Sequence, residues 1–382
     1  MVAGRGAGPV PCRIALVGMG WAARSIWLPR LAGRAGLRLV AVVDRDPSAW
    51  AGVDLDDSVA RHRDLAGLDP GDVDLAVVAV PNHLHCEVAC RLLDRGISVF
   101  LEKPVCLTSA EVTRLAEAER SAGATLLAGS AALYRSDLEA LRRVRPSIGR
   151  LRHVELAWVR ARGVPSAGEW FTRRHLSGGG ALIDLGSHLL DVGGALLGYS
   201  EVSRVVGTTS SLLINNQSWR AAWRDEQPPP AQEHRSDVED TAYGFLVTAG
   251  GTGVSLRASW ASHEVHDATT VVLEGIAGTA TLRTTFGFSP NRLPRPVLTV
   301  ARGGRVASVP LPEERIGVEY DRQLDDLPAL LGDPAARGRA IRRAGWSIDV
   351  LERIYSCAAA LGPPSDALTG PVPAAIGRAS MD

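Results

Sequence analysis

The chain has 382 residues, 46% of them hydrophobic, enough for two cores rather than one. Its 42 acidic and 42 basic side chains cancel, so no overall charge points to nucleic acid or an anionic membrane; a small-molecule partner fits better. Cys12, Cys86, Cys90, Cys106 and Cys357 match no zinc spacing, "MVAGRGAGPVPC" offers no signal-peptide core, and no stretch reads as able to span a bilayer. Together these predict a cytoplasmic protein.

"RIALVGMG", an apolar run ending in glycines, opens an alternation of short apolar runs and helical stretches. A helix is predicted over "AARSIWLPRLAGRAG", then the runs "LRLVAVVD" and "VDLAVVAV", a helix in "HCEVACRLLDRG", the run "SVFLEKPV", a helix from Thr108 to Ala122, and "ATLLAGS". Strands buried on both faces read as near-continuous apolar runs, so this half is α/β, a doubly wound parallel sheet. From about Leu151 the runs "LRHVELAWVRA", "EVSRVVGTTSSLLI", "DTAYGFLVTAG", "TGVSLRASWAS", "ATTVVLEGI" and "GTATLRTTF" follow one another through short turns, which predicts a largely antiparallel sheet. One helix interrupts it, from Asp184 to Leu197, and two close the chain, near Val318 to Leu331 and Arg339 to Leu361. Residues 215–237 are polar and proline-rich, either a lid or disordered. The expected division is a dinucleotide-binding domain over 1–130 and a substrate and oligomerisation domain over 131–382, with the closing helices free to pack back on the first.

Three local patterns carry chemistry. In "VGMGWAA", Gly18, Gly20 and Ala23 keep the G-x-G-x-x-G/A order, with Trp21 and Ala22 between them, at a strand-to-helix junction. Gly18 allows the tight turn, Gly20 lets backbone approach a pyrophosphate, and Ala23 lets helix and strand pack closely. About 20 residues on, Asp44 ends the next strand, where a carboxylate binds ribose hydroxyls and favours NAD. Arg45 beside it suits a 2'-phosphate, which leaves NADP open.

Lys103, in "VFLEKPVCLT", is the single lysine among 42 basic side chains. It sits at the carboxyl end of a parallel strand, where the ligand crevice of such sheets lies. A lysine can be tuned there to hold or release a proton, and arginine cannot. In "SGGGALIDLGSHLLDVGG", Asp184 and His188 share one helix face, entered through Gly178, Gly179 and Gly180, with Asp191 at its edge. No further ligands announce a metal site, and the flanks are too apolar for a solvated ion pair. A proton-transfer pair is the remaining reading.

The order GxGxxA, "AVPNHLH", "EKP", "GGGALIDLGSHLLD", "VEDTA" and "LEGIAGTATL" resembles the Gfo/Idh/MocA family from Arg13 to about Gly362. The resemblance implies a Rossmann domain followed by an α/β domain whose open, mostly antiparallel sheet makes a homodimer or homotetramer. It also implies a nicotinamide cofactor, NAD or NADP, and hydride transfer at a carbinol carbon of a sugar or cyclitol. By the same resemblance Lys103 polarises the substrate oxygen, His188 takes the hydroxyl proton and Asp184 positions substrate or histidine. Pro81 and Asn82 fall near the nicotinamide. His85 is either a helix start or catalytic, and Glu102 packs the cofactor site.

Where the family commonly has bulky groups, "GSAALYRSD" places small Ser130, Ala131 and Ala132 before Tyr134 and Arg135. Either the pocket is widened for a substrate larger than a monosaccharide, a glycoside, nucleotide sugar or aminoglycoside intermediate, or the loop is shifted. Trp170 and Phe171 suit a sugar face or domain packing; Arg162, Arg173 and His175 suit hydroxyls or phosphate. Three functions stay open: an NAD(P)-dependent sugar dehydrogenase or ketoreductase, a redox-neutral enzyme that recycles its NAD, such as a glycosidase or epimerase, and a non-catalytic dinucleotide sensor.

Overall fold

A computed structural model describes residues 11–166, 169–221 and 235–362; of the 215–237 loop expected to be a lid or disordered, residues 222–234 lie outside the described residues. Strands β1 (Cys12–Val17), β2 (Leu37–Val43), β3 (Ala60–His62), β4 (Leu75–Val78), β5 (Ser98–Leu101) and β6 (Leu126–Ala128) pair in parallel in the order β3-β2-β1-β4-β5-β6. The order reverses between β1 and β4, and that switch point opens a crevice at the strands' carboxyl ends. Helices α1 (Leu28–Leu31), α2 (His85–Leu93) and α3 (Ser109–Ser121) cross over between strands. Thr108 caps α3, its hydroxyl accepting from the Glu111 amide at 3.2 Å.

After α4 (Ser136–Val144) the chain builds an eight-stranded sheet from β7 (Leu151–Val159), β8 (Val202–Ser210), β9 (Thr241–Thr248), β10 (Gly253–Ser259), β11 (Ala268–Gly275), β12 (Thr279–Thr284), β13 (Val297–Arg302) and β14 (Arg305–Val309). Its order is β14-β13-β12-β11-β7-β10-β9-β8, antiparallel except for β7 with β10. The β13–β14 hairpin escapes the sequence reading although Gly303–Gly304, both at positive φ between β-branched runs, is a strong hairpin signal.

Helices α5 (Arg174–Ser177), α6 (Ser187–Leu197), α7 (Val318–Gly332) and α8 (Arg339–Leu361) complete the fold. The helical run 174–197 corrects one expectation. It is long and apolar enough, by length and composition, to cross a membrane, yet 72% of its apolar window is buried inside the protein, as in a core helix. One face of the parallel sheet packs Ile14, Leu16, Trp27 and Phe100 against Leu324 and Leu327 of α7. The core on its other face, with Ala15, Val78 and Leu101, runs unbroken into Leu156, Leu182 and Ile354 of the second half. Residues from both halves can therefore be held at fixed positions around one site.

Candidate active site

The crevice between the two sheets is a cavity of about 1580 Å³. On the Rossmann side, Gly18 turns the chain at φ +86°, and a Cβ there would lie 2.7 Å from the Ala79 carbonyl oxygen. Gly20 is different: a Cβ added there would meet nothing within 4 Å, and its bare backbone faces the cavity. That open cradle fits a pyrophosphate. Asp44 fastens the turn, its carboxylate accepting from the amides of Met19 at 2.7 Å and Asp46 at 2.9 Å. Trp21, Ala22 and Arg45 also line the cavity, whereas Ala23 is fully buried. Trp21 meets Phe288 edge-on at 6.2 Å.

Pro81, Asn82 and His85 follow β4 along the cavity wall. Asn82 donates to the Ser177 carbonyl at 2.9 Å, tying this wall to the approach of the helical run that carries Asp184 and His188. The ring nitrogens of buried His85 lie 2.6 Å from the Pro104 carbonyl and 2.9 Å from the Val80 carbonyl. Burial lowers its pKa, and both nitrogens already face backbone, so its place is structural. Glu102 accepts from the Trp27 indole at 2.7 Å and the Lys103 amide at 3.0 Å; burial raises its pKa.

Lys103 opens a cis peptide to Pro104, and its ammonium donates to the Asp184 carboxylate at 2.9 Å and the Asp184 carbonyl at 3.2 Å. Trp260 donates its indole N–H to the other Asp184 oxygen at 3.0 Å, and the Arg160 guanidinium stands 3.8 Å away. Burial opposes the charge on Asp184, but Lys103 and Arg160 outweigh it and hold the carboxyl well below the usual range. Among the described residues no hydrogen bond joins Asp184 to His188. The sequence leaves Asp184 a choice between substrate and histidine; the structure engages it with lysine and tryptophan.

His188 lies over Trp158, ring centroids 5.5 Å apart. Burial first, and Lys103 second, push its pKa down to about 3 despite the opposing charge of Asp184, so the imidazole is neutral at working pH. Asp184 lies in a π-helical turn, Leu182–Gly186, which runs into α6; such turns recur at functional sites. The glycines before it are there for room. A Cβ on Gly180 would sit 1.9 Å from the Glu239 carbonyl oxygen, and one on Gly179 equally close to the Tyr355 hydroxyl. Glu239 accepts from the amides of Gly180 and Leu182, both at 2.9 Å, which explains the "VED" motif as the cap of this helical run.

Four expected substrate contacts separate on inspection. Trp170 and Arg135 line the cavity. Arg135 is spent internally, on Asp137 at 2.6 and 3.0 Å, Glu319 at 3.3 Å and Thr284 at 3.0 Å, with Phe286 beneath it at 4.7 Å. Tyr134 and Arg162 are corrections. The short turn Ala131–Tyr134 gives Ala131 and Ala132 to the cavity and turns Tyr134 away, beside Asp326; Arg162 is exposed, past a bend at Ala161. Arg173 and His175 also lie off the cavity lining, and Phe171 stacks on Trp260 at 5.8 Å. Trp158, Arg160, Trp260 and Arg220 were missed. Trp158, Arg160 and Trp260 come from the carboxyl ends of β7 and β10, the parallel pair of the second sheet, a signal visible only once those strands are paired.

Residues 12–130 match the model of an oxidoreductase family with an NAD-binding Rossmann fold, GFO_IDH_MocA, and residues 145–281 match the GFO/IDH/MocA C-terminal domain. The chain belongs to the Gfo/Idh/MocA family of oxidoreductases. It is 55% identical, over 91% of its length and 96% of the relative's, to a "Putative UDP-kanosamine synthase oxidoreductase subunit" of Amycolatopsis mediterranei. It is 28% identical to D-glucoside 3-dehydrogenase of Escherichia coli over 66% of this chain and 71% of that one. A 3-ketoreductase from Actinomadura kijaniata, solved with NADP and TDP-benzene, shares the fold at a TM-score of 0.71 and 18% identity, covering 91% of this chain and 98% of that one. This Gfo/Idh/MocA oxidoreductase accordingly has the expected α/β architecture and an NAD-binding Rossmann domain.

Proposed function

We propose that this oxidoreductase interconverts a secondary alcohol and a ketone on a UDP-linked hexose, using NAD or NADP. The observation that carries the reading is the convergence, in one cavity with the glycine cradle, of a neutral His188 and a Lys103 ammonium held by Asp184. A bound nicotinamide supplies the acceptor for the hydride that leaves the carbinol carbon. His188 accepts the hydroxyl proton; its low pKa means that the proton is passed on to solvent, and Asp184 offsets the transient imidazolium. Lys103 donates toward the oxygen that becomes the carbonyl, and the Asp184–Trp260 bond fixes where that ammonium stands.

The substrate class rests on charge and kinship. The cavity of about 1580 Å³ includes the glycine cradle and exceeds the roughly 300–1,000 Å³ of a single-ligand site, which leaves room for a dinucleotide and a substrate together. The second half of the chain also walls it with Arg160, Trp170 and Arg220, groups suited to a sugar face and a pyrophosphate. The Amycolatopsis relative's name joins a UDP-sugar to an oxidoreductase subunit. We also propose a homo-oligomer, because the helix-free face of the eight-stranded sheet exposes Val206, Tyr243, Phe245 and Val306, and a cytoplasmic location, which the five free cysteines favour.

The test incubates the protein with NAD or NADP and a panel of UDP-hexoses and free hexoses, reading reduced cofactor by absorbance and trapping ketone with a hydroxylamine. Reduced cofactor and ketone in equal amounts from a UDP-hexose are expected. Product without net reduced cofactor would replace this reading with a redox-neutral one; binding without turnover of any panel member would replace it with a sensor.

A further inference from the structure

Asp191 lies one helical turn beyond His188 on α6, outside the cavity lining, and the chemistry above makes no use of it. Its carboxylate accepts the Ser130 hydroxyl at 2.9 Å. Ser130 sits between Gly129 and Ala131, and with Ala132 those two neighbours wall the cavity. This wall has little freedom elsewhere. The Gly129 amide donates to the Leu101 carbonyl at 2.8 Å, and a Cβ on Gly129 would press on Glu102, 3.2 Å from its carboxylate. Among the described residues, the Asp191–Ser130 bond is the side-chain hydrogen bond that joins α6 to the segment 129–135.

We propose that Asp191 is a positioning residue, whose ionised carboxylate holds the catalytic helix against the Gly129–Ala132 wall and whose protonation loosens the sugar side of the cavity in mildly acidic solution. This rests on the reading of that cavity as a sugar-oxidation site. The groups facing Asp191 are Ser130 from the wall, Arg343 and Ser347 from α8, Lys103 from the loop after β5, and Tyr199 just past α6, itself facing Arg142 of α4. Burial raises the Asp191 pKa to about 6; Ser130 and then Arg343, Lys103 and Ser347 pull the other way without cancelling it. His188, at about 3, and Asp184, lower still, keep one charge state through the same interval. Of the three groups Asp184, His188 and Asp191, Asp191 is the one that changes charge near pH 6.

The experiment compares wild type, Asp191→Asn and Ser130→Ala in steady-state kinetics from pH 5 to 8. Thermal melting and NAD titration at pH 7.5 serve as checks of folding and cofactor binding. In wild type kcat/KM for the sugar falls below about pH 6, through KM rather than kcat. Asp191→Asn shows a KM raised about tenfold at pH 7.5 and no acid limb, because an amide mimics the protonated acid without titrating. Ser130→Ala raises KM similarly at neutral pH, and carries the test if Asp191→Asn does not fold. Carbon-13 spectra of labelled protein give a readout independent of turnover: a carboxyl titrating near pH 6 in wild type and missing from Asp191→Asn. An acid limb that persists in Asp191→Asn, a wild-type profile flat to pH 5, or unchanged KM in Ser130→Ala overturns the proposal. If no sugar reduces the cofactor, the sugar-oxidation reading falls, while the spectra still decide whether Asp191 titrates there.

Discussion

The two walls of the cavity present different surfaces to a ligand. On the Rossmann wall the contact is backbone: Gly18 bends the chain, Gly20 leaves it bare, and Asp44 holds the turn through two amide hydrogen bonds. On the other wall the contact is buried charge: Asp184 lies between Arg160 and Lys103, which reaches across from the loop after β5, one cation in excess beside a neutral His188. A backbone cradle tolerates many changes of side chain but no Cβ at its tight turn, Gly18; a charge cluster tolerates changes of shape and no loss of a partner. The two walls are therefore expected to fail differently when altered.

The largest effect belongs to the charged wall. His188→Ala and Lys103→Arg are each expected to lower turnover by about two or more orders of magnitude with NAD affinity unchanged. Lys103→Arg is the more informative, since it keeps the ion pair to Asp184 and replaces a compact ammonium with a fork that holds its proton. Wild-type turnover in that variant would remove Lys103 from the chemistry. Next comes the backbone wall. Gly18→Ala places a Cβ 2.7 Å from the Ala79 carbonyl at φ +86°, so weaker NAD binding and a stability loss of about 1–3 kcal/mol are expected, read by cofactor titration and melting. If NAD affinity survived while kcat fell, the division of labour between the walls would be wrong.

A smaller effect tests the support behind the charge. Trp260→Phe keeps an aromatic ring beside Phe171, smaller than the indole, and deletes the N–H that holds Asp184 at 3.0 Å. One hydrogen bond to a charged group corresponds to about 1.5–3 kcal/mol, so kcat is expected to drop about tenfold with KM little altered. An unchanged kcat would mean that Lys103 and Arg160 position the carboxylate unaided.

The same contrast governs what was legible in the sequence. Backbone devices are local: Gly18, Gly20, Ala23 and Asp44 lie within one strand-helix-strand unit, and their order alone located the crevice. Lys103, Asp184 and His188 were legible because they stand in two short motifs, "EKP" and "GGGALIDLGSHLLD". Trp158, Arg160 and Trp260 were not, since what places them is the pairing of β7 with β10, strands some hundred residues apart. Arg162 and Tyr134 misled for a related reason. Each sits next to cavity residues in sequence, and a bend at Ala161 and a tight turn at Ala131–Tyr134 decide which neighbours face inward.

The smallest expected effect concerns stability, where two groups of the charged wall's own helix oppose each other. His188 falls from an ordinary value of 6.5 to about 3 on folding, so its contribution is complete above pH 6.5 and is lost as pH falls toward 3. Asp191 rises from 3.8 to about 6, so its contribution is complete below 3.8 and is lost as pH rises through 6. At pH 5 the His188 term reaches at most about 2 kcal/mol, reduced by the exposure of the ring to the cavity. On lowering pH from 7 to 5, wild type should therefore lose a few degrees of Tm, about 2–4 °C, more than His188→Gln does. In the variant the remaining Asp191 term acts with the opposite sign and flattens or reverses the slope. Equal acid slopes in the two proteins would show that His188 is solvated well enough to titrate normally, and with that the neutral imidazole assigned to the charged wall would be lost.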